Sequence, residues 1–295
     1  MNTKDIKYFR ALVRYQNYTR VSEKFGISQP SVTQAIKRLE KEFDVQLVQQ
    51  DRTHQKTVIT RAGLLLDKNF AQIEHSIQLA HKEIESTKTE IIRFGLPPII
   101  GTLYFPQVAG ELLSSGLLQK TNILESGSDE LLRDLKKGDI DIALLGSVRP
   151  IHFNEIRAVN LGSRPFTIIA SPKHHLAQKD KISFKELGSE KFISLTGRYV
   201  HPMAFKAYCE YADISPEIVY STSDISWAKS LVKENLGISL IVKDVIQEND
   251  GVKCIKIVDS VPVRFNVSLA IRSGYKVSES EREFIEVVKK MIVKN

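Results

Sequence analysis

Residues Thr19 to Phe43 constrain this chain more than any other stretch, because they read as two short helices held around a tight turn. Thr19 is a suitable N-cap for the first helix, which runs to Phe25. Gly26 follows as the residue that takes a left-handed backbone at no steric cost. Ile27 turns inward, Ser28 caps the second helix, and Pro30 sits in its first turn, where a missing N–H leaves no bond unmade. The second helix carries one apolar stripe, Val32, Ile36, Leu39 and Phe43. Its other face holds Gln29, Ser31, Thr33, Gln34, Lys37, Arg38 and Lys41. Amides and hydroxyls near the N-terminus suit base edges, and the cations beyond them suit phosphates. A solvated helix face has the same polarity. It is the turn glycine, capping serine, early proline and short polar side chains together that point to a helix-turn-helix with its second helix in a major groove.

The flanking sequence supports that reading. A helix over Thr3 to Tyr15, with Ile6, Phe9, Leu12 and Val13 on one side, would pack beneath the pair. Val45 to Gln50 and Thr57 to Thr60 are β-prone pieces around a polar turn, a small wing with Arg52, His54 and Lys56 at its tip. The candidate DNA contacts are therefore Ser28, Gln29, Pro30, Ser31, Thr33, Gln34, Lys37 and Arg38 on the helix, with Arg52, His54 and Lys56 on the wing. The net charge of +7 is concentrated here: the first 61 residues hold 12 Lys and Arg against 6 Asp and Glu, and the rest hold 30 against 29. Charge gathered in this way attracts a polyanion and makes binding salt-dependent.

Thr60 reads as the cap of a long helix to about Lys88. Leu66, Phe70, Ile73, Ile77, Ala80 and Ile84 recur at alternating spacings of four and three, the pattern of a coiled-coil seam. A helix resting on its own domain would share this pattern, but the polar remainder favours a dimerisation helix, which would set two recognition helices on two half-sites.

From Glu90 the texture becomes β/α alternation, which predicts parallel, doubly wound sheets. Two lobes crossed near Gly162 and near Asn266 would make a hinged clam-shell. Ligands of such sheets sit at the carboxyl ends of strands, near helix N-termini. Those ends deliver Pro98, Ile99, Gly101 and Thr102; Ser126 to Ser128; Gly146, Ser147 and Arg149; Thr196, Gly197, Arg198, Tyr199 and His201; and Ser223 with Asp224. Recurrent glycines and hydroxyls suit donation to a small organic anion, with a carboxylate as the expected class and Arg149 or Arg198 as charge partner. Ser128 and Asp224 serve equally well as plain helix caps, and the glycines as plain turns.

The run Ile27-Ser28-Gln29-Pro30-Ser31-Val32-Thr33, then Ile36-Lys37-Arg38-Leu39-Glu40 and Thr60-Arg61-Ala62-Gly63, resembles the LysR-type transcriptional regulators, and the resemblance extends over the whole chain. It is nearest to members governing malolactic and related carboxylic-acid genes. The resemblance implies a winged helix-turn-helix over 1–60, a linker helix over 61–89 and a two-lobed, periplasmic-binding-protein-like α/β effector domain over 90–295. Lobe I would be 90–162 with 268–295, and lobe II 163–267. It implies homodimers joined by the linker helix and assembled into homotetramers on double-stranded promoter DNA, switched by a small-molecule effector. Positions matching Thr102, Ser128, Gly146, Ser147 and Thr196 would line the cleft, and the full candidate set adds Ile99, Gly101, Gly197, Arg198 and Tyr199. The chain also departs from the family pattern. Val21 and Ser22 replace two alanines, Asp44 a glycine, and Gln50 the arginine that opens the wing. Pro98 and Ile99 replace polar residues, so the cleft floor is more apolar.

Other classes fit less well. A G-x-S-x-G elbow, a P-loop and a strand-following G-x-G-x-x-G are all missing, so an enzyme is not expected. His174-His175 follows Ser171-Pro172-Lys173 in a loop with no carboxylate cluster to complete a metal site, so neither metal nor cofactor is expected. Cys209 and Cys254 read as packing residues. A solute-binding protein would carry a signal segment and no basic head. A chain without an apolar run near twenty residues is expected in the bacterial cytoplasm, on the nucleoid and not in a membrane.

Overall fold

The computed structural model describes residues 1–51, 56–197 and 200–293, leaving aside the side chains of Gln50, Asp51 and Lys56. The chain forms two compact units, Met1–Thr87 and Lys88–Asn295.

In the first unit α1 (Thr3–Tyr15), α2 (Tyr18–Phe25) and α3 (Gln29–Phe43) precede an antiparallel pair, β1 (Val48–Asp51) and β2 (Lys56–Ile59), and then α4 (Arg61–Ser86). Asn2 and Asp5 close a capping box on α1. The cap of α2 is Asn17, whose side chain accepts the Arg20 N–H at 2.9 Å, and not the expected Thr19. Asparagine is among the strongest caps, and starting there lengthens the helix by two residues, Tyr18 and Thr19. Gly26 takes φ +62, and the Ser28 hydroxyl accepts the Ser31 N–H as expected. Ile6, Phe9, Leu12, Val21, Val32, Ile36 and Leu39 make the core. The buried stripe of α3 stops at Leu39, because Phe43 is 44% exposed, with its ring edge-to-face with Phe70.

The long helix does not present one continuous seam. Phe70 is buried in the domain core with Leu66 packed against it, and Arg10 of α1 pairs with Asp67 and Glu74. The N-terminal half of α4 thus rests on its own domain, the arrangement the sequence reading set aside. Further along, Ile73 and Ile84 are 39% and 66% exposed, so the apolar stripe is uncovered only in the C-terminal half.

In the second unit, lobe I contains β3 (Ile92–Leu96), α5 (Pro98–Leu103), α6 (Pro106–Ser114), β4 (Thr121–Glu125), α7 (Ser128–Lys137), β5 (Ile142–Ser147) and β6 (Ile156–Arg164). Lobe II contains β7 (Phe166–Ala170), β8 (Lys181–Ile182), β9 (Lys191–Leu195), α8 (Val200–Ala212), β10 (Glu217–Thr222), α9 (Ile225–Lys233), β11 (Ser239–Val242) and β12 (Lys253–Ile257). The chain then returns through β13 (Phe265–Arg272) to α10 (Glu279–Val288). The lobe I sheet has order β4-β3-β5-β13-β6. In lobe II the order is β11-β7-β12-β8, with the β10-β9 pair joined to it by a bridge from Phe192 to Ile238. Both sheets are mixed, not parallel throughout. β3 is parallel to β4 and β5, but β13 runs antiparallel to β5 and β6, and β7 antiparallel to β11 and β12.

β6 and β13 lie side by side where the chain crosses between lobes, with Arg164 opposite Phe265 and Gly162 opposite Val267. Gly162 has φ +145, and a Cβ there would stand 2.1 Å from the Val293 carbonyl oxygen, so glycine is required.

A buried carboxylate holds lobe I together. Asp141 receives Nε and Nη2 of Arg93, each at 2.7 Å, and Nη2 of Arg272 at 3.0 Å. Arg272 also donates to the carbonyls of Leu135 and Ile140. Replacing Asp141 by Asn would leave two guanidiniums short of a counter-charge. The effector domain is expected to lose about 3–5 kcal/mol of stability, measured by denaturant unfolding of the full chain.

Candidate functional site

The outer face of α3 is built by its cap and its stripe. With Val32, Ala35, Ile36 and Leu39 facing inward, Ser28, Gln29, Pro30, Ser31, Gln34, Lys37 and Arg38 are exposed and Thr33 is half-buried. The Ser28 and Ser31 hydroxyls bond each other at 2.8 Å, and Thr33 donates to the Gln29 carbonyl at 3.2 Å. Gln29 and Gln34, about 1.4 turns apart along α3, are therefore the amides without a hydrogen-bond partner among the described residues. Lys37 has no ion-pair partner among the described residues. Arg38 does: its Nη2 lies 2.5 Å from Oδ1 of Asp5, whose side chain is 1% exposed, while the guanidinium stays half-exposed. That bond raises the Arg38 pKa further and ties α3 to the first turn of α1. Arg38 is thus a strut of the domain as well as a cation on the DNA side. Arg52 and His54 lie outside the described residues, as does the side chain of Lys56.

The candidate effector residues do not line a single pocket. Ile99 and Thr102 border a cavity of about 610 Å³ together with Leu195, Ser223, Lys229 and Asp250 from lobe II. Ser128, Gly146 and Ser147 border another, of about 290 Å³, with Arg149 and Met203. No residue lines both. Gly101 packs on Leu96, Thr196 and Gly197 border neither cavity, and Arg198 and Tyr199 lie outside the described residues.

Ser128 is not the cap of α7. Gly127 is, and the buried Ser128 hydroxyl accepts the Gly146 N–H at 2.8 Å. That bond occupies an acceptor site and leaves the hydroxyl hydrogen to donate elsewhere. Gly146 is also a contact point between the lobes: a Cβ there would meet Val200 at 3.0 Å and Phe265 at 3.2 Å. The opening of the lobes is set nearby. Arg164, on the crossing strand, holds Asp244 of lobe II at 2.5 Å, and Asp244 accepts the Tyr104 hydroxyl of lobe I at 3.0 Å. Burial and the adjacent Asp244 carboxylate push the Tyr104 phenol well up, so it stays a donor.

Sequence reasoning placed His201 at a strand end without keeping it in the final effector set, and it missed Lys229 and Asp250 altogether. His201 is buried at the start of α8, and its Nε2 accepts the Val242 N–H at 3.3 Å. Burial pushes its pKa down to about 4, so the ring is neutral near pH 7 and its proton sits on Nδ1. Lys229 donates to Asp250 at 2.7 Å and to the Val245 carbonyl at 3.0 Å. The strand-end rule finds neither Lys229 nor Asp250, because one stands a turn inside α9 and the other ends a short 3-10 turn, Glu248–Asp250.

His174 and His175 do meet a carboxylate, contrary to the sequence reading. Glu190 lies 2.8 Å from Nε2 of His175 and 3.5 Å from Nε2 of His174. However, Nδ1 of His174 accepts the Leu176 N–H at 3.3 Å, which places that ring's proton on Nε2, toward Glu190. A proton there blocks the lone pair a metal would need, and the trio is a hydrogen-bonded knot on the surface.

Two family models match the chain. "Bacterial regulatory helix-turn-helix protein, lysR family" matches residues 3–64, and "LysR substrate binding domain" matches 86–292. The chain is 31% identical over 291 residues to the malolactic fermentation system transcriptional activator of Lactococcus lactis, covering 98% of each. It is 22% identical to the DNA-binding transcriptional dual regulator OxyR of Escherichia coli, covering 98% of this chain and 95% of that one. Among solved structures, full-length BenM aligns with TM-score 0.57 at 20% identity over 98% and 96% of the two chains. The effector-binding domain of QuiR in complex with shikimate aligns with TM-score 0.58 at 18% identity over 68% of this chain and 95% of that one. These likenesses carry the fold.

Two cations one residue apart should behave differently. Arg38→Ala strands the buried Asp5 and is expected to cost the N-terminal domain about 1–2 kcal/mol, below the cost of a fully buried pair because the guanidinium is half-exposed. Lys37→Ala should leave the melting temperature unchanged and lower the salt slope of DNA binding by about one. Thermal melts and binding titrations across salt concentrations check both.

Proposed function

This chain belongs to the LysR family of bacterial transcriptional regulators, and from that premise we propose that it binds an interrupted dyad in promoter DNA as a homotetramer and is switched by a small organic anion held in its effector domain. The observation that carries the DNA part is the outer face of α3, where Gln29 and Gln34 stand exposed and uncommitted beside Lys37. On this reading the amides meet base edges, Lys37 and Arg38 hold phosphates, and Arg52, His54 and Lys56 of the wing touch the backbone or minor groove. The protein acts in the cytoplasm by binding, without a catalytic step.

Two separate uncovered apolar surfaces support the tetramer. One is the C-terminal half of α4, with Ile73, Ile77, Ala80 and Ile84, which we read as the dimer seam. The other belongs to the effector domain: the edge strands β4 and β10 expose Ile123, Leu124, Ile218, Val219 and Tyr220, and Trp227 stands beside Tyr220. Edge strands of that character need covering, and two distinct self-complementary patches generate a dimer of dimers.

For the effector, the pocket at Ser128 suits an anion best. Its hydroxyl is free to donate, Arg149 supplies a cation, and only Asp129 among its lining residues opposes it. The relative from Lactococcus lactis is named for malolactic fermentation, a conversion between carboxylic acids, and the shikimate bound to QuiR is itself a carboxylate. Other relatives are named for induction by hydrogen peroxide, which would call for a reactive thiol. Here burial and Glu210 push the Cys209 pKa up to about 11, which disfavours its reactive thiolate.

Gln34→Ala is expected to erase about 1–3 kcal/mol of discrimination between operator and unrelated DNA while sparing non-specific binding in a shift assay. A screen of small carboxylic acids should raise the melting temperature of the wild-type chain and not that of Arg149→Met. Stabilisation by neutral compounds alone would overturn the anion reading. Ile77→Glu with Ile84→Glu should reduce the tetramer to dimers in sedimentation velocity.

A further inference from the structure

We propose that Glu40 is a positioning residue for DNA binding: its carboxylate ties the root of the wing to the recognition helix α3 and so fixes where the wing meets the duplex. The inference rests on the reading that the wing touches the backbone or minor groove, and it adds the side chain that puts it there.

Three observations carry it. The first is convergence on one residue. The Glu40 carbonyl accepts the Asp44 N–H, at the cap of α3, and the Val45 N–H at 3.2 Å. One carboxylate oxygen, Oε1, then accepts the Leu47 N–H at 2.9 Å and the Val48 N–H at 3.2 Å. The connection from α3 into β1 is thus wound around Glu40. Bonds from N–H groups to a carboxylate are stronger than those to a neutral acceptor.

The second observation is what grips the strand from its other side. The Leu47 carbonyl accepts the Thr60 N–H at 3.0 Å and the Thr60 hydroxyl at 3.1 Å. Gly63 of α4 lies so close that a Cβ there would stand 2.5 Å from the same oxygen. Leu47 and Val48 are also buried, at 1% and 7% exposure. The root of β1 therefore stays on the domain without Glu40, held by its side chains and by the start of α4. Among the described residues, the bonds that register it to α3 are those of Glu40.

The third observation is leverage. Glu40 stands three residues after Lys37, in the part of α3 read as holding phosphates. The four residues of β1 lead straight from this root into the wing. Over a strand of about 13 Å, a tilt of about 10° at the root moves the far end by about 2 Å. A hydrogen bond to a phosphate oxygen does not survive a displacement of that size.

The test uses the full-length protein and a labelled duplex selected by the wild-type chain from a random pool. Titrations across salt concentrations read the slope, and a hydroxyl-radical footprint reads the backbone covered. Arg52→Ala with Lys56→Ala should lower the slope by about two. Glu40→Met, close in shape but without the acceptor, should lower it about equally, erase the same outer protections and add nothing on the doubly substituted background. Glu40→Gln keeps an oxygen for both N–H groups and should bind as the wild type does. If Glu40→Met fails to fold, Glu40→Asp, one methylene shorter, carries the comparison. The proposal falls if Glu40→Met keeps the wild-type slope and footprint, if it lowers the slope further on the doubly substituted background, or if Glu40→Gln loses as much as Glu40→Met. Should the Arg52 and Lys56 substitutions themselves leave the slope unchanged, the reading of the wing fails first and takes this one with it.

Discussion

The carboxylate of Asp141 is the point on which the effector domain turns. The chain leaves lobe I after β6, builds the whole of lobe II, and must return as β13 into the middle of the sheet it left, between β5 and β6. Hydrophobic burial does not choose the register of such a return, because both faces of β13 are buried along its full length. Arg272 at the end of β13 does choose it. Its guanidinium reaches Asp141 and the two carbonyls at the end of α7, and a slip of one residue would turn that charge to the other face. Arg93 on β3 completes the clamp, so four elements remote in sequence share one buried charge network. Such a network adds little net stability over an apolar core of the same volume, but it penalises every alternative pairing heavily.

With β13 fixed, the hinge follows. Its partner β6 carries Gly162 against the Val293 carbonyl and ends at Arg164, whose guanidinium holds Asp244. Tyr104 reaches the same carboxylate from lobe I. The spacing of the lobes therefore depends on one phenol–carboxylate bond near the hinge and on the contact of Gly146 with Val200 and Phe265. Both cavities lie where small changes in that spacing alter their walls.

Much of this was legible in the residues. The helix-turn-helix announces itself because each of its signals is local: Gly26 for its left-handed backbone, Ser28 for its cap, Val32, Ile36 and Leu39 for the stripe. The misplacements have local causes too. Thr19 lost the cap to Asn17, two residues earlier, and Phe43 was counted in a stripe that its exposed position at the helix end could not bury. Non-local facts were not legible. Arg38 looked like any surface cation until Asp5, 33 residues away, was found beneath it. The first half of α4 fits a seam and a self-packed helix equally well by periodicity, and only the position of Phe70 against Phe9 decides. In the effector domain, strand ends located loops but not the walls opposite them, so Lys229 and Asp250 escaped notice. Ile99, whose apolar side chain did stand out in the sequence, borders the larger cavity.

The distribution of charge limits how a signal can pass to DNA. The excess of cations belongs to the first 61 residues, and the rest of the chain is nearly balanced, with 30 against 29. Binding one small ion in the effector domain changes that balance by a single charge. Electrostatic influence between exposed charges fades over about 8 Å at physiological salt, whereas the helix that follows the wing, at 26 residues, is about 39 Å long. We propose that an effector acts by preferring one separation of the lobes, and that the response reaches the recognition helices as a change in how the copies of an oligomer are spaced. On that reading the burden of switching falls on the interfaces between copies, proposed above at the uncovered half of α4 and the edges β4 and β10, and the salt dependence of DNA binding is expected to be a property of the heads that the effector leaves unaltered.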